Sequence, residues 1–170
     1  MNLIKKLKYF VLLLCISSCA QQKAEDTVRL IPEGYEGSAL IIFNQEDGEP
    51  KEYEDGKRIY RIPKNGVLKT QFGQNYGVQN HQFFYVDKEG SRTEIPFVIV
   101  QDEEALSQIK DNDKTYAYWE QALGKGEKYD PETKKLLRTI QPARSFYIGN
   151  LLDINKDYRE QLNFIFKHHK

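Results

Sequence analysis

Two side chains in this sequence combine a reactive type with a telling position: Cys19 and His81. Cys19 closes the run Ile16-Ser17-Ser18-Cys19 behind a short apolar stretch. A thiol that follows small residues in that setting fits a bacterial lipobox, where the cysteine is lipidated through a thioether and the chain is cut just before it. Cys15 then leaves with the leader, so neither of the two cysteines is available for a disulfide in the chain that follows. His81 is the one candidate general base inside the fold, because His168 and His169 lie at the C-terminal end. No serine in a Gly-x-Ser-x-Gly context accompanies it, and a lone histidine beside a strand more often has a structural role.

Paired carboxylates recur at Glu46-Asp47, Glu54-Asp55 and Asp102-Glu103-Glu104. Each sits beside a turn signal and reads as a solvated loop, a poor setting for raising a pKa by burial. The histidine and cysteine spacing offers no metal motif, and the loop acids lack the twelve-residue calcium pattern. Gly124-Lys125-Gly126 lacks the rest of a phosphate loop, so no cofactor or metal is expected.

These groups need elements to hold them. Met1 to Ser18 has the three parts of an export signal: Lys5, Lys6 and Lys8, an apolar centre from Tyr9 to Ile16, then small serines. Its apolar centre is shorter than the roughly 20 residues that span a bilayer. Cleavage leaves 152 residues, one ordinary domain, with 22 basic against 25 acidic side chains. That balance argues against nucleic acid as a partner. Residues 19–27 read as a lipidated tether and 28–170 as a single β-rich domain.

Within the domain, Ser38 to Phe43 is a short apolar run that predicts a core strand covered on both faces. Lys57 to Ile62 and Val67 to Phe72 flank Pro63-Lys64-Asn65-Gly66 and predict a hairpin. His81 to Val86 and Ser91 to Val100 flank Asp87-Lys88-Glu89-Gly90, a second hairpin. Asp102 is placed to cap a short helix ending at Ile109. Thr115 to Leu123 fits strand or helix equally, Glu127 to Lys135 is a charged excursion, and Arg144 to Ile148 is a last core strand. Asn155 to His168 predicts an amphipathic helix whose stripe is Tyr158, Leu162, Ile165 and Phe166. The fold class expected is mainly β, an antiparallel β-sandwich or partly open barrel with that helix at its C-terminal end.

The sequence Leu30-Ile31-Pro32-Glu33-Gly34-Tyr35-Glu36-Gly37, the apolar strand, Gly48-Glu49-Pro50, and Tyr60-Arg61-Ile62-Pro63-Lys64-Asn65-Gly66-Val67 together resemble an uncharacterised family of exported bacterial domains, many of them lipoproteins. The resemblance runs from about Val28 to Gly149 and implies a shared fold and a domain of unknown function, with no catalytic residues to carry over. Lys23-Ala24-Glu25-Asp26 resembles the charged segment behind the lipidated cysteine of surface-exported Bacteroidetes-type lipoproteins. The expectation is a protein of the bacterial cell envelope, lipid-anchored, in the outer membrane and facing either the periplasm or the surface. Its membrane contact would be the lipid on Cys19, and its β domain would bind an envelope protein or an extracellular glycan or peptide. The alternatives are an envelope hydrolase that uses carboxylates or His81, and a structural subunit docked through the C-terminal helix.

Overall fold

The computed structural model describes residues 24–169. The leader and Cys19 lie outside them. Eleven strands and two helices follow in order: β1 (Thr27–Pro32), β2 (Gly37–Ile42), β3 (Glu52–Glu54), β4 (Lys57–Arg61), β5 (Val67–Lys69), β6 (His81–Val86), β7 (Arg92–Ile95), α1 (Glu103–Ser107), β8 (Tyr116–Leu123), β9 (Gly126–Tyr129), β10 (Leu136–Ile140), β11 (Ala143–Gly149) and α2 (Ile154–His168). They form a five-stranded sheet ordered β3-β4-β1-β6-β7, a four-stranded sheet ordered β5-β2-β11-β8, and a β9-β10 ribbon. The two larger sheets face each other as a sandwich, and among the described residues there is no closed barrel and one C-terminal helix.

The sheets are mixed rather than antiparallel. β1 runs parallel to both β4 and β6, and β5 runs parallel to β2. Early strands alternate between the sheets, so a strand that returns after a crossing lies alongside an earlier one in the same direction. This also corrects the hairpin expected at Pro63–Gly66. The turn forms, with the Gly66 amide donating to Pro63 O at 2.9 Å, but it passes the chain from β4 in one sheet to β5 in the other. A proline and a glycine encode the reversal, and only packing selects the sheet.

Gly66 has φ +76°, and a Cβ there would meet the Tyr35 hydroxyl at 2.2 Å and Ser38 O at 2.7 Å. The Tyr35 hydroxyl donates to that same Ser38 carbonyl. Gly66→Ala therefore combines a left-handed penalty of about 1–2 kcal/mol with overpacking of about 1–3 kcal/mol. We expect a loss of at least about 2 kcal/mol by urea denaturation, whereas Gly90→Ala, at an open turn with φ +87°, should show the backbone penalty alone.

The apolar run at β2 is covered on both faces, as its composition requires. Ala39, Ile41 and Phe43 point into the core between the sheets with Ile31, Tyr60, Phe72, Phe83 and Phe146. Leu40 and Ile42 point the other way, to Ala143 and Ile165 beneath α2. The undecided stretch 115–123 is strand β8. The charged excursion folds back as the β9-β10 ribbon.

The helix sits where its pattern predicts, but it is rotated. Ile165 is buried, whereas Phe166 is 74% exposed and Tyr158 lies at the surface against Trp119. The inward face is Asp157, Gln161 and Ile165. Gln161 Nε2 donates to Trp119 O at 2.9 Å and to Ser145 Oγ at 3.1 Å, and the Tyr118 hydroxyl donates to Asp157 Oδ2 at 2.6 Å. Burial beside that carboxylate raises the Tyr118 pKa. Polar anchors, rather than an apolar stripe alone, set the helix orientation.

Candidate functional site

The most chemically charged region of the fold lies between the two sheets. In β1, alternation turns Thr27, Arg29 and Ile31 toward the opposite sheet. Arg29 is fully buried there, and a buried guanidinium needs a counter-ion. The counter-ion is Glu120, whose Oε1 lies 2.5 Å from Arg29 Nη2.

Simple alternation would turn Glu120 away from this interior. Tyr118 faces α2 through Asp157, and a residue two positions on should face the same way. The β8-β11 register jumps between Tyr147↔Tyr118 and Ser145↔Gln121, so Trp119 and Glu120 oppose one residue. This bulge, with Trp119 at φ 50°, reverses the parity and delivers the carboxylate to Arg29. Trp119 is held outward by its indole N–H, which donates to Ile154 O at 2.8 Å.

Arg144 of β11 places Nη1 3.0 Å from the same Glu120 oxygen and 3.2 Å from His81 Nε2. His81 Nε2 is also 3.3 Å from Glu120 Oε2, and His81 Nδ1 is 2.8 Å from Thr27 Oγ1. The Arg29 guanidinium stacks 4.7 Å over Phe83 and 5.3 Å from Phe146. Two guanidiniums and one carboxylate leave the cluster one charge positive with His81 neutral. Burial, then the fields of Arg29 and Arg144, pushes the His81 pKa down to about 2. The 3.3 Å approach to Glu120 is therefore the contact of a neutral ring and not an ion pair. Burial also lowers the Arg29 pKa, and Glu120 opposes that shift.

Hydroxyl, imidazole and carboxylate stand here in the order of a proton relay. Thr27 is only 2% exposed, however, and its Oγ1 also accepts from Arg29 Nη1 at 3.3 Å. A carbonyl substrate cannot reach that oxygen in this conformation. What the cluster does is join β1 and β6 of one sheet to β8 and β11 of the other.

Of the carboxylates singled out by sequence, none joins His81. Glu46 and Asp47 are exposed in the β2-β3 loop, Glu54 pairs with Arg92 at 2.7 Å, Asp55 lies at the β3-β4 turn, and Asp102 precedes α1, whose first turn holds Glu103 and Glu104. Arg29 carried a weaker signal, since a cation inside the apolar run Val28–Ile31 needs a buried partner, and nothing in the sequence marked Glu120 or Arg144 as that partner. Among the described residues no group of three or more His, Cys, Asp or Glu is placed to hold a metal ion. No helix among them is long and apolar enough to cross a membrane.

A second surface lies along the seam between β5 and the β3-β4 edge, where Glu49 bridges to Thr70. Three adjoining clefts of about 480, 340 and 470 Å³ open there. Asn44, Gln45, Lys51 and Gln71 line the first, and Arg61 and Glu49 line both others.

A family model matches residues 23–130, well over half of the chain. The chain belongs to DUF6843, a family of unknown function. The DUF6843 match takes in Thr27, Arg29, His81 and Glu120 and ends before Arg144 and α2. No curated protein matches this chain. Among solved structures, a candidate lipoprotein from Bacillus anthracis aligns at 18% identity and a TM-score of 0.46, covering 85% of this DUF6843 chain and 96% of the other.

Proposed function

We propose that this protein is a lipid-anchored component of the bacterial cell envelope, exported by the leader 1–18 and acylated on Cys19, with a non-catalytic β-rich domain that binds or supports an envelope partner. The observation that carries this reading is the lipobox itself, Ile16-Ser17-Ser18-Cys19, placed five residues ahead of Ala24, where the described chain is already packed against the fold. The buried cluster supports the non-catalytic part. His81 Nδ1 is engaged by Thr27 and Nε2 by Arg144, and Glu120 Oε1 meets both Arg29 and Arg144, which is the work of a structural tie. The first cleft, lined by Asn44, Gln45, Glu46, Lys51 and Gln71, offers the polar groups that a glycan or an extended peptide would contact.

The surface-facing, Bacteroidetes-type export reading rests on Lys23 to Asp26. Three of those four residues have duties inside the fold: the Ala24 amide donates to Val78 O, Glu25 pairs with Arg58 at 2.5 Å, and Asp26 accepts from the Asn80 amide at 3.0 Å. Their charge is thus explained without an export signal, and either membrane face remains compatible with the proposal.

The test is metabolic labelling with an alkyne fatty acid, followed by protease shaving of intact cells. The wild-type chain should take up label and fractionate with membranes, and Cys19→Ala should do neither. Equal labelling of the two would sink the anchoring. Cleavage in intact cells, with a periplasmic control surviving, would assign the outer surface.

A further inference from the structure

A lipid on Cys19 would bring one end of the fold, the end where the described chain begins, next to the bilayer. The described chain enters at Ala24, whose amide donates to Val78 O at 3.1 Å, while Glu25 and Asn75 exchange two hydrogen bonds. The entry point therefore sits beside the loop 73–80. The same end of the sandwich carries the root of the β9-β10 ribbon, since β8 and β11 are last paired at Leu123↔Ala143 and the ribbon continues beyond them. The neighbouring contact of Arg144 with His81, next to Asn80, places that root against the loop. The last turn of α2 ends there too, with His169 Nε2 2.6 Å from Gln141 O.

Exposed apolar groups gather at this end. Ten large apolar side chains are exposed among the described residues, and six of them are here: Tyr76 and Val78 on the loop, Tyr129, Leu136 and Leu137 on the ribbon, and Phe166 on the last turn of α2. The ribbon and its flanks, residues 124–142, hold five cations (Lys125, Lys128, Lys134, Lys135 and Arg138) against three carboxylates. Apolar tips among lysines are what an anionic lipid surface attracts. The chain length agrees: four residues separate Cys19 from Ala24, and the five Cα–Cα steps between them span at most roughly 18 Å.

The geometry points to a membrane-docking face made of the 73–80 loop and the β9-β10 ribbon, which lies on the lipid surface that holds the acylated Cys19. This rests on the anchoring proposed above. The opposite end, where Leu152 lies between β11 and α2, then faces away from the bilayer.

The mature chain has no cysteine except the thioether-blocked Cys19, so single exposed positions can be labelled cleanly. Val78→Cys, Leu136→Cys and Leu152→Cys, each in the full lipidated chain, carry an environment-sensitive fluorophore in vesicles of phosphatidylethanolamine and phosphatidylglycerol. Labels at 78 and 136 should be quenched by spin-labelled lipid and shielded from iodide several-fold relative to the label at 152. All three labels behaving alike overturns the docking face. Shielding from iodide without lipid quenching places a protein surface there and also overturns it. The intact mass of the same samples separates the two ideas. If no lipid mass is found on Cys19, the anchoring itself fails and takes the docking face with it; if the lipid is present and the labels stay wet, only the docking face fails.

Discussion

Glu120→Ala is expected to be among the most damaging single changes in this fold. It removes the carboxylate that both Arg29 and Arg144 contact, and Arg29 is fully buried. Breaking a buried pair in this way leaves an uncompensated charge and costs about 3–5 kcal/mol. For a domain of this size each kcal/mol moves the midpoint by about 2–4 °C, so thermal melting should fall by on the order of 10 °C. The double variant Arg29→Met with Glu120→Leu should be more stable than Glu120→Ala alone. It removes the fully buried charge, leaving only the partly exposed Arg144, and gives Phe83 and Phe146 an apolar neighbour in place of the guanidinium. If Glu120→Ala melts within a few degrees of wild type, the cluster is not the tie between the sheets that its geometry describes.

Acid should weaken the fold through His81, with a sign opposite to that of a histidine that gains a partner on folding. Its folded pKa is lowered from 6.5 to about 2 by burial and by Arg29 and Arg144. Between those two values the unfolded chain binds a proton that the folded chain refuses, so stability rises with pH across that window. The contribution is complete above the unfolded pKa and is lost as pH falls below it, at up to about 1.4 kcal/mol per pH unit. Urea midpoints compared at about pH 7 and pH 5 should show a loss of roughly 2 kcal/mol in wild type. Arg61 and Arg92 hold the Glu52 and Glu54 carboxylates below their ordinary range, so those groups stay ionised across the comparison. His81→Gln should flatten the decline. Parallel losses in the two proteins would mean that His81 is not held neutral in the folded state.

Both predictions concern residues that act only as a set, and their legibility in the sequence differed. His81 stood out because the other two histidines lie at the C-terminal end of the sequence, whereas Glu120 did not stand out at all. Its inward direction depends on a bulge at Trp119, and β8 itself was undecided between strand and helix. The bulge is held by Trp119 reaching the α2 backbone and by Gln161 reaching back to Trp119 O, contacts 35 and 42 residues apart in the chain. A pattern read over a few residues cannot contain them.

The sequence by itself determined the local choices: strands at the apolar and aromatic runs, reversals at Pro63–Gly66 and Asp87–Gly90, and an amphipathic helix at the C-terminal end. Those follow from side-chain periodicity and backbone restriction, which act between near neighbours. Only the tertiary structure decided which sheet each strand joins, that the sheets are mixed, which face α2 buries, and that Arg29, His81, Glu120 and Arg144 meet. Each of those depends on parity and pairing between strands far apart in the chain. A single extra residue at Trp119–Glu120, invisible to composition, is enough to move a carboxylate from one face of the sheet to the other.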